Sequence, residues 1–140
     1  MENALSLLYD PLILAHNRSP VNFEKRLTAQ HTIEAYNPLC GDKFKLFLDI
    51  ENGIVEKASF HGYGCAISKA ATSVLIQRIE GQRLDGVSAV IKTYFEALDT
   101  EGGHFDADLR VFSAVRQFPE RLTCATLSWE AARIFFKDKN

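Results

Sequence analysis

Residues 43–61, KFKLFLDIENGIVEKASFH, carry the clearest structural signal in this chain. From Lys43 to Ile50 apolar and polar residues alternate at period two, which is the pattern of a half-buried strand. Glu51-Asn52-Gly53 follows, and Asn and Gly accept the positive φ angles that a tight hairpin turn requires. The sequence therefore predicts an antiparallel hairpin whose returning strand runs from Ile54 to about His61.

Two further elements are predicted on the N-terminal side of the hairpin. The same alternation runs from Gln30 to Tyr36 and predicts another strand. Before it, Asp10 precedes Pro11, which favours a helix from Pro11 to about Asn17 with an aspartate cap and a proline as its first residue. Leu5 and Leu8 would extend it as a frayed amphipathic arm. The three strands together predict a short antiparallel meander.

The residues after the hairpin follow helical periodicity. Apolar residues recur on one helix face at Ile67, Ala70, Ala71, Val74 and Leu75, and Gly81 would stop this helix. A second stripe comprises Leu84, Val87, Ile91, Tyr94, Phe95 and Leu98, with Gly102-Gly103 as its predicted end. A shorter helical piece is predicted from Leu109 to Val115, and Pro119 would block its continuation.

A last helix is predicted from about Cys124 to Phe136, with Leu127, Ala131, Ile134 and Phe135 on its buried side. Phe44, Phe47 and Phe60 on the strands are expected in the core, because aromatic residues favour packed strand positions. With no repeat or linker in the chain, we expect one domain over residues 1–140. The predicted fold class is α+β, a short antiparallel three-stranded sheet with helices packed on one face.

Composition excludes several function classes. The 16 basic and 18 acidic residues give a net charge of -2, which provides no field for a nucleic-acid backbone. No apolar run approaches the roughly 20 residues of a membrane span, and Met1-Glu2-Asn3 lacks the basic start of a secretory signal. We therefore expect a cytoplasmic protein that binds neither nucleic acid nor membrane.

The three cysteines are the candidate chemical groups, since an odd number in a chain without an export signal argues against disulfides. Cys40 lies between two predicted strands, where Gly41 would let the backbone turn so that Cys40 and Asp42 face one point. Cys65 is predicted at a strand-to-helix junction and Cys124 at the start of the last helix. Both would lie near helix N-termini, where the dipole favours a thiolate.

Three thiolates and a carboxylate would complete a tetrahedral site for zinc or iron, with the hard carboxylate as the more exchangeable ligand. Spacing alone leaves other interpretations open. Scattered cysteines are often buried core residues, and Asp42 beside Gly41 could be a turn residue. His61 could be a reserve ligand or only a polar residue at a strand end. His16, His31 and His104 show no partner pattern.

Three ordered segments resemble the cysteine motifs of the U-type iron-sulfur assembly family, which includes IscU, SufU and the N-terminal part of NifU. They are residues 36–42 (YNPLCGD), 62–68 (GYGCAIS) and 118–129 (FPERLTCATLSW). The resemblance covers nearly the whole chain, beginning near Ile13. It implies a SufU/IscU-like fold and a set of metal or cluster ligands at Cys40, Asp42, Cys65 and Cys124.

Within that family the chain is most similar to SufU, because the segment Thr100 to Phe118 is absent from the shorter IscU proteins. IscU proteins also carry a histidine where this chain has Thr123. SufU proteins usually have an arginine at the position of Lys43, which lacks the forked donor set of arginine.

The resemblance to SufU implies a zinc-bound sulfur acceptor whose catalytic Cys40 takes persulfide sulfur from a SufS-like cysteine desulfurase and passes it to downstream iron-sulfur assembly proteins. Such a protein would be a zinc-dependent sulfurtransferase. Two alternatives share the same residues. One is a non-enzymatic scaffold for iron or a [2Fe-2S] cluster, and the other is a structural zinc module.

Overall fold

The computed structural model of the protein describes residues 10–100 and 104–139. Its elements, in chain order, are α1 (Pro11–Arg18), β1 (His31–Tyr36), β2 (Lys43–Glu51), β3 (Ile54–Tyr63), α2 (Ala66–Ile79), α3 (Leu84–Asp99), α4 (Ala107–Arg110), a 3-10 helix (Val111–Gln117) and α5 (Pro119–Phe136). No helix within these residues is both long and apolar enough to cross a membrane.

The predicted meander is confirmed as a sheet of three antiparallel strands in the order β1-β2-β3. The hairpin turn has positive φ angles at Asn52 (53°) and Gly53 (75°), as its sequence predicts. A register shift next to Asp49 and Ile50 places a bulge in the hairpin. The predicted cap of α1 is also confirmed, since the Asp10 side chain accepts a hydrogen bond from the Leu12 N–H at 2.8 Å.

The helices cover one face of the sheet, as the predicted α+β class requires. Helix α2 is central, with ten of its 14 residues buried, because it packs against the sheet, α1, α3 and α5. Trp129 of α5 stacks on Tyr94 of α3 with ring centroids 3.8 Å apart, and its indole N–H donates to the Ala71 carbonyl at 2.8 Å. These contacts fix the last helix against the central one.

Among the residues that the structure describes, no helix lies on the opposite, outer face of the sheet. On β2, the side chains of Phe44, Leu46 and Leu48 are buried in the main core, whereas Phe47 points to the outer face. Phe47 is nevertheless only 3% exposed, so the expectation that Phe44, Phe47 and Phe60 are buried is confirmed.

The last helix differs from its prediction in start and orientation. It begins at Pro119, five residues before Cys124, because a proline that ends one helix suits the first position of the next. Its fully buried residues are Cys124, Ala125, Ser128, Trp129, Ala132 and Phe136, whereas the predicted Ile134 is 64% exposed. Leu127 and Phe135 of the predicted side are partly buried against the core, so the predicted buried side was wrong for Ile134 and displaced from the fully buried face.

Helix α2 ends at Ile79, just before Gly81, as predicted. Helix α3 ends at Asp99 with Thr100 as its cap, and the predicted Gly102-Gly103 stop lies outside the described residues. Leu5 and Leu8 lie outside them as well. The predicted piece from Leu109 to Val115 is helical and forms part of a longer segment, α4 and the 3-10 helix.

Candidate metal centre

Residues 37–42, between β1 and β2, form a closed loop. The backbone N–H of Asn37 donates to the Asp42 carbonyl at 2.9 Å, and the Gly41 N–H donates to the Asn37 carbonyl at 2.8 Å. The Asn37 side chain accepts from the Leu39 N–H at 3.0 Å. Gly41 has φ +79°, a conformation that L side chains rarely adopt. The turn at Gly41 lets Cys40 and Asp42, on either side of it, approach the same point.

The structure brings Cys40, Asp42 and Cys124 together. One potential ligand atom from each lies within 4.8 Å of the other two. Cys40 is exposed, whereas Asp42 and Cys124 are only 6% and 5% exposed. Zinc-sulfur bonds of about 2.3 Å separate two sulfurs of a tetrahedral site by about 3.8 Å. A metal ion could therefore be bound here after shifts of about 1 Å.

Asp42 gives the strongest indication that the group fits a cation. Its Oδ2 atom is buried and accepts no hydrogen bond from the residues that the structure describes. A buried polar atom without a partner costs about 1–3 kcal/mol, so such atoms usually have a role that offsets the cost. With two thiols beside it, this oxygen has the donor chemistry and position of a zinc ligand.

The Cys124 thiol lies deepest in the site. Burial, together with the neighbouring Cys65 and Asp42, raises the pKa of Cys124 to about 12. A hydrogen bond from the Arg121 side chain acts in the opposite sense. The expectation that Cys124 begins a helix, with the dipole favouring its thiolate, was therefore wrong, because Cys124 lies in the second turn of α5 and is buried.

Cys65 is at the predicted strand-to-helix junction. It caps α2, with its sulfur accepting from the Ser68 N–H at 3.5 Å, while the Ser68 hydroxyl donates to the Cys65 carbonyl at 3.1 Å. It interacts with Cys124 but is outside the group of three whose ligand atoms converge. The role of Cys65 as the fourth ligand therefore stays a prediction.

The histidines lie away from these ligands. His61 is on the outer sheet face, where its ring lies 4.6 Å from that of Phe23, and it is not in the converging group. His16 bonds to the Ser73 hydroxyl, His31 contacts the ring of Phe135, and His104 is exposed.

Sequence reasoning missed Arg121. Arg121 and Cys124 are three residues apart on α5, a spacing that places two helical side chains on the same face. That signal is present in the sequence but depends on a helix that already includes Arg121, and the predicted helix began too late. The guanidinium adds a positive charge to a site whose other groups are thiols and a carboxyl.

Comparisons with known proteins agree with this fold. The family model described as "NifU-like N terminal domain" matches residues 8–136. The chain is 33% identical over 132 residues to the zinc-dependent sulfurtransferase SufU of Bacillus subtilis, covering 91% of this chain and 88% of that protein. It is 30% identical to the iron-sulfur cluster assembly scaffold protein IscU of Thermotoga maritima, covering 91% of each.

Solved structures show the same architecture. A putative iron-sulfur cluster assembly scaffold protein for the SUF system from Fervidobacterium islandicum superposes with a TM-score of 0.78 at 26% identity, covering 91% of this chain and 96% of that one. The NifU-like N-terminal protein of Brucella abortus superposes with a TM-score of 0.81 at 20% identity, covering 93% and 92% of the two chains, and so shares the fold. The chain belongs to the NifU-like N-terminal domain family of U-type iron-sulfur assembly proteins.

Proposed function

We propose that this protein is a zinc-bound sulfur acceptor in iron-sulfur cluster assembly, with Cys40 as the residue that receives sulfur from a cysteine desulfurase. The observation that supports it most directly is the contrast within the site. Cys40 is exposed on a loop, while its neighbours Asp42 and Cys124 are buried. One thiol can thus meet a partner while the buried groups retain a metal. The identity to SufU of Bacillus subtilis supports the same role.

The residues have separate tasks in this proposal. Cys124, fixed by the packing of α5, and Cys65, fixed by its cap on α2, would be the permanent ligands together with Asp42. Zinc would hold the ligand thiols as thiolates at neutral pH. Cys40, on the 37–42 loop, would be the ligand that leaves. Its exposure gives access to an incoming persulfide.

The transfer itself is a thiol-persulfide exchange. The Cys40 sulfur attacks the outer sulfur of the persulfide on the desulfurase and forms a new S–S bond. The S–S bond within the donor persulfide breaks, and the donor cysteine leaves as a thiolate that takes up a proton. Sulfur is passed from one cysteine to the other, so the step needs no oxidant or reductant.

Mass spectrometry tests the assignment of Cys40. After incubation with a cysteine desulfurase and cysteine, the peptide that contains Cys40 should gain about 32 Da, the mass of one sulfur atom. Cys40→Ser should abolish this label while the protein stays folded. Label found only on the peptide of Cys124 would overturn the choice of Cys40.

The second candidate function is a scaffold for a [2Fe-2S] cluster on the same residues, which the 30% identity to IscU of Thermotoga maritima favours. Elemental analysis and an absorption spectrum of the purified protein separate the two. One zinc per chain and no visible colour support the sulfur acceptor. Iron with a brown colour, and no persulfide on any cysteine, would replace it with the scaffold.

A further inference from the structure

A groove of about 490 Å³ lies on the outer face of the sheet. One wall is basic, with Lys25 from the segment before β1 and Lys43 and Lys45 from β2. Leu27 and Tyr63 add apolar surface, with exposed fractions of 88% and 64%. The groove is therefore amphipathic as well as positively charged.

The lysine charges of this groove are not neutralised by its other described lining residues. None of the described residues that line it is acidic. The nearby Glu34 of β1 pairs with Lys43 at 3.8 Å, an exposed contact that neutralises one lysine. Lys25 and Lys45 keep the net charge of the groove positive. Charge complementarity favours an acidic occupant.

The groove is lined by residues that adjoin the candidate metal ligands in the chain. Lys43 directly follows Asp42, and Tyr63 lies two residues before Cys65. Two more exposed apolar side chains adjoin these residues. The Tyr36 ring centroid lies 5.8 Å from Nζ of the groove residue Lys43, and Leu39, which directly precedes Cys40, is 96% exposed. Exposed apolar residues grouped around a site mark protein interaction surfaces. A small anion would make no use of these residues, whereas a protein segment would cover them.

We propose that the groove, together with the exposed Tyr36 and Leu39, is the docking surface for an acidic segment of the cysteine desulfurase that also presents an apolar side chain. This inference rests on the proposed function, because the desulfurase must reach Cys40. Its acidic groups would pair with Lys25 and Lys45. Its apolar side chain would pack on Leu27 and Tyr63.

Association kinetics test this docking surface. Electrostatic complementarity mainly sets the association rate, so Lys25→Glu combined with Lys45→Glu should slow binding to the desulfurase at low salt by about tenfold or more. The dependence of the rate on salt should weaken as well. The control combines Lys92→Glu with Lys137→Glu, two exposed positions on α3 and just after α5, and should bind as the unaltered protein does.

Two further variants make the test specific. Lys25→Gln combined with Lys45→Gln should give an intermediate rate, because charge is removed without being reversed. Leu27→Ala should speed dissociation more than it slows association, because apolar contacts form after the encounter. Sulfur uptake by Cys40 from a low-molecular-weight persulfide should be the same in all these variants.

The outcomes separate this inference from the proposed function. Unchanged association of the charge-reversed protein, or an unaltered protein that fails to bind the desulfurase, overturns the docking surface. Complex formation that depends on Lys25 and Lys45, but with no sulfur on Cys40, supports the docking surface and refutes the sulfur-acceptor function.

Discussion

Replacement of Asp42 by alanine should change the stability of the protein in opposite directions with and without metal. The Oδ2 atom of Asp42 is buried without a hydrogen-bond partner among the described residues. Removing such a group relieves a penalty of about 1–3 kcal/mol. The loop contact of Asp42 uses its backbone carbonyl, which the substitution leaves in place. Without metal, Asp42→Ala should therefore stabilise the protein by about 1–2 kcal/mol.

With zinc present, Asp42→Ala should instead be less stable than the unaltered protein. A ligand that binds only the folded state stabilises it by RT ln(1 + [L]/Kd), so a roughly 100-fold loss of affinity removes about 2.7 kcal/mol at high zinc. This exceeds the gain in the metal-free protein, and Asp42→Ala should then be less stable than the unaltered chain by about 1 kcal/mol. In the metal-free protein, Asp42→Asn should increase stability less than Asp42→Ala does, because the asparagine amide remains a buried polar group.

Urea denaturation in a chelator and in excess zinc measures both values. Glu96→Ala on α3 is the matched control, because it also removes one carboxyl group but at an exposed position. It should change stability by less than about 0.5 kcal/mol in both conditions. If Asp42→Ala is the less stable protein in chelator, its carboxyl group supports the fold, and the argument from the unpaired oxygen fails.

Two further predictions concern the scaffold around the site. Gly62→Ala should cost more than about 2 kcal/mol in urea denaturation, because a Cβ there would lie 2.1 Å from the Lys43 carbonyl oxygen. Gly86→Ala in α3 should gain up to about 1 kcal/mol from helix propensity, because its Cβ would lie 2.6 Å from Gln82 Oε1, the end of a flexible side chain that can move away. Equal effects would refute the steric argument. Burial lowers the pKa of His16 from its ordinary value of 6.5, so the unfolded chain binds the proton more tightly and stability falls as the pH drops below about 6.5. In His16→Gln, the unfolding free energy should decrease less between pH 7 and pH 5. An unchanged slope would mean that other groups cause the decrease.

Local signals in the sequence were sufficient for most of the fold. The hairpin follows from Asn52 and Gly53 between two alternating runs, and the cap of α1 follows from Asp10 and Pro11. Both depend on contacts between residues close in sequence. The start of α5 could not be assigned in the same way, because Pro119 is compatible with the end of one helix and with the beginning of another. Packing of Trp129 on Tyr94 decides which face of α5 is buried.

The candidate site likewise has one part that local sequence predicts and another that depends on tertiary packing. Cys40 and Asp42 lie two residues apart across Gly41, and the sequence predicted that they would face one point. The approach of Cys124 to Cys40 and Asp42 depends on how α5 packs on α2, a tertiary arrangement that periodicity does not encode. The motif resemblance supplied an expectation that spacing alone could not, namely that the three cysteines act together, and for Cys65 this stays a prediction.

The separation of Cys40 and Cys124 in the chain has a consequence for biosynthesis. At about 5–20 residues per second, the ribosome needs on the order of 4–16 s to add the roughly 80 residues between them. During this time the nascent polypeptide contains Cys40 but not yet Cys124. The complete pocket cannot exist before α5 has emerged and docked. Under the proposed function, metal loading is therefore expected as a late, post-translational event, and a prematurely truncated product would carry Cys40 without the buried ligand Cys124.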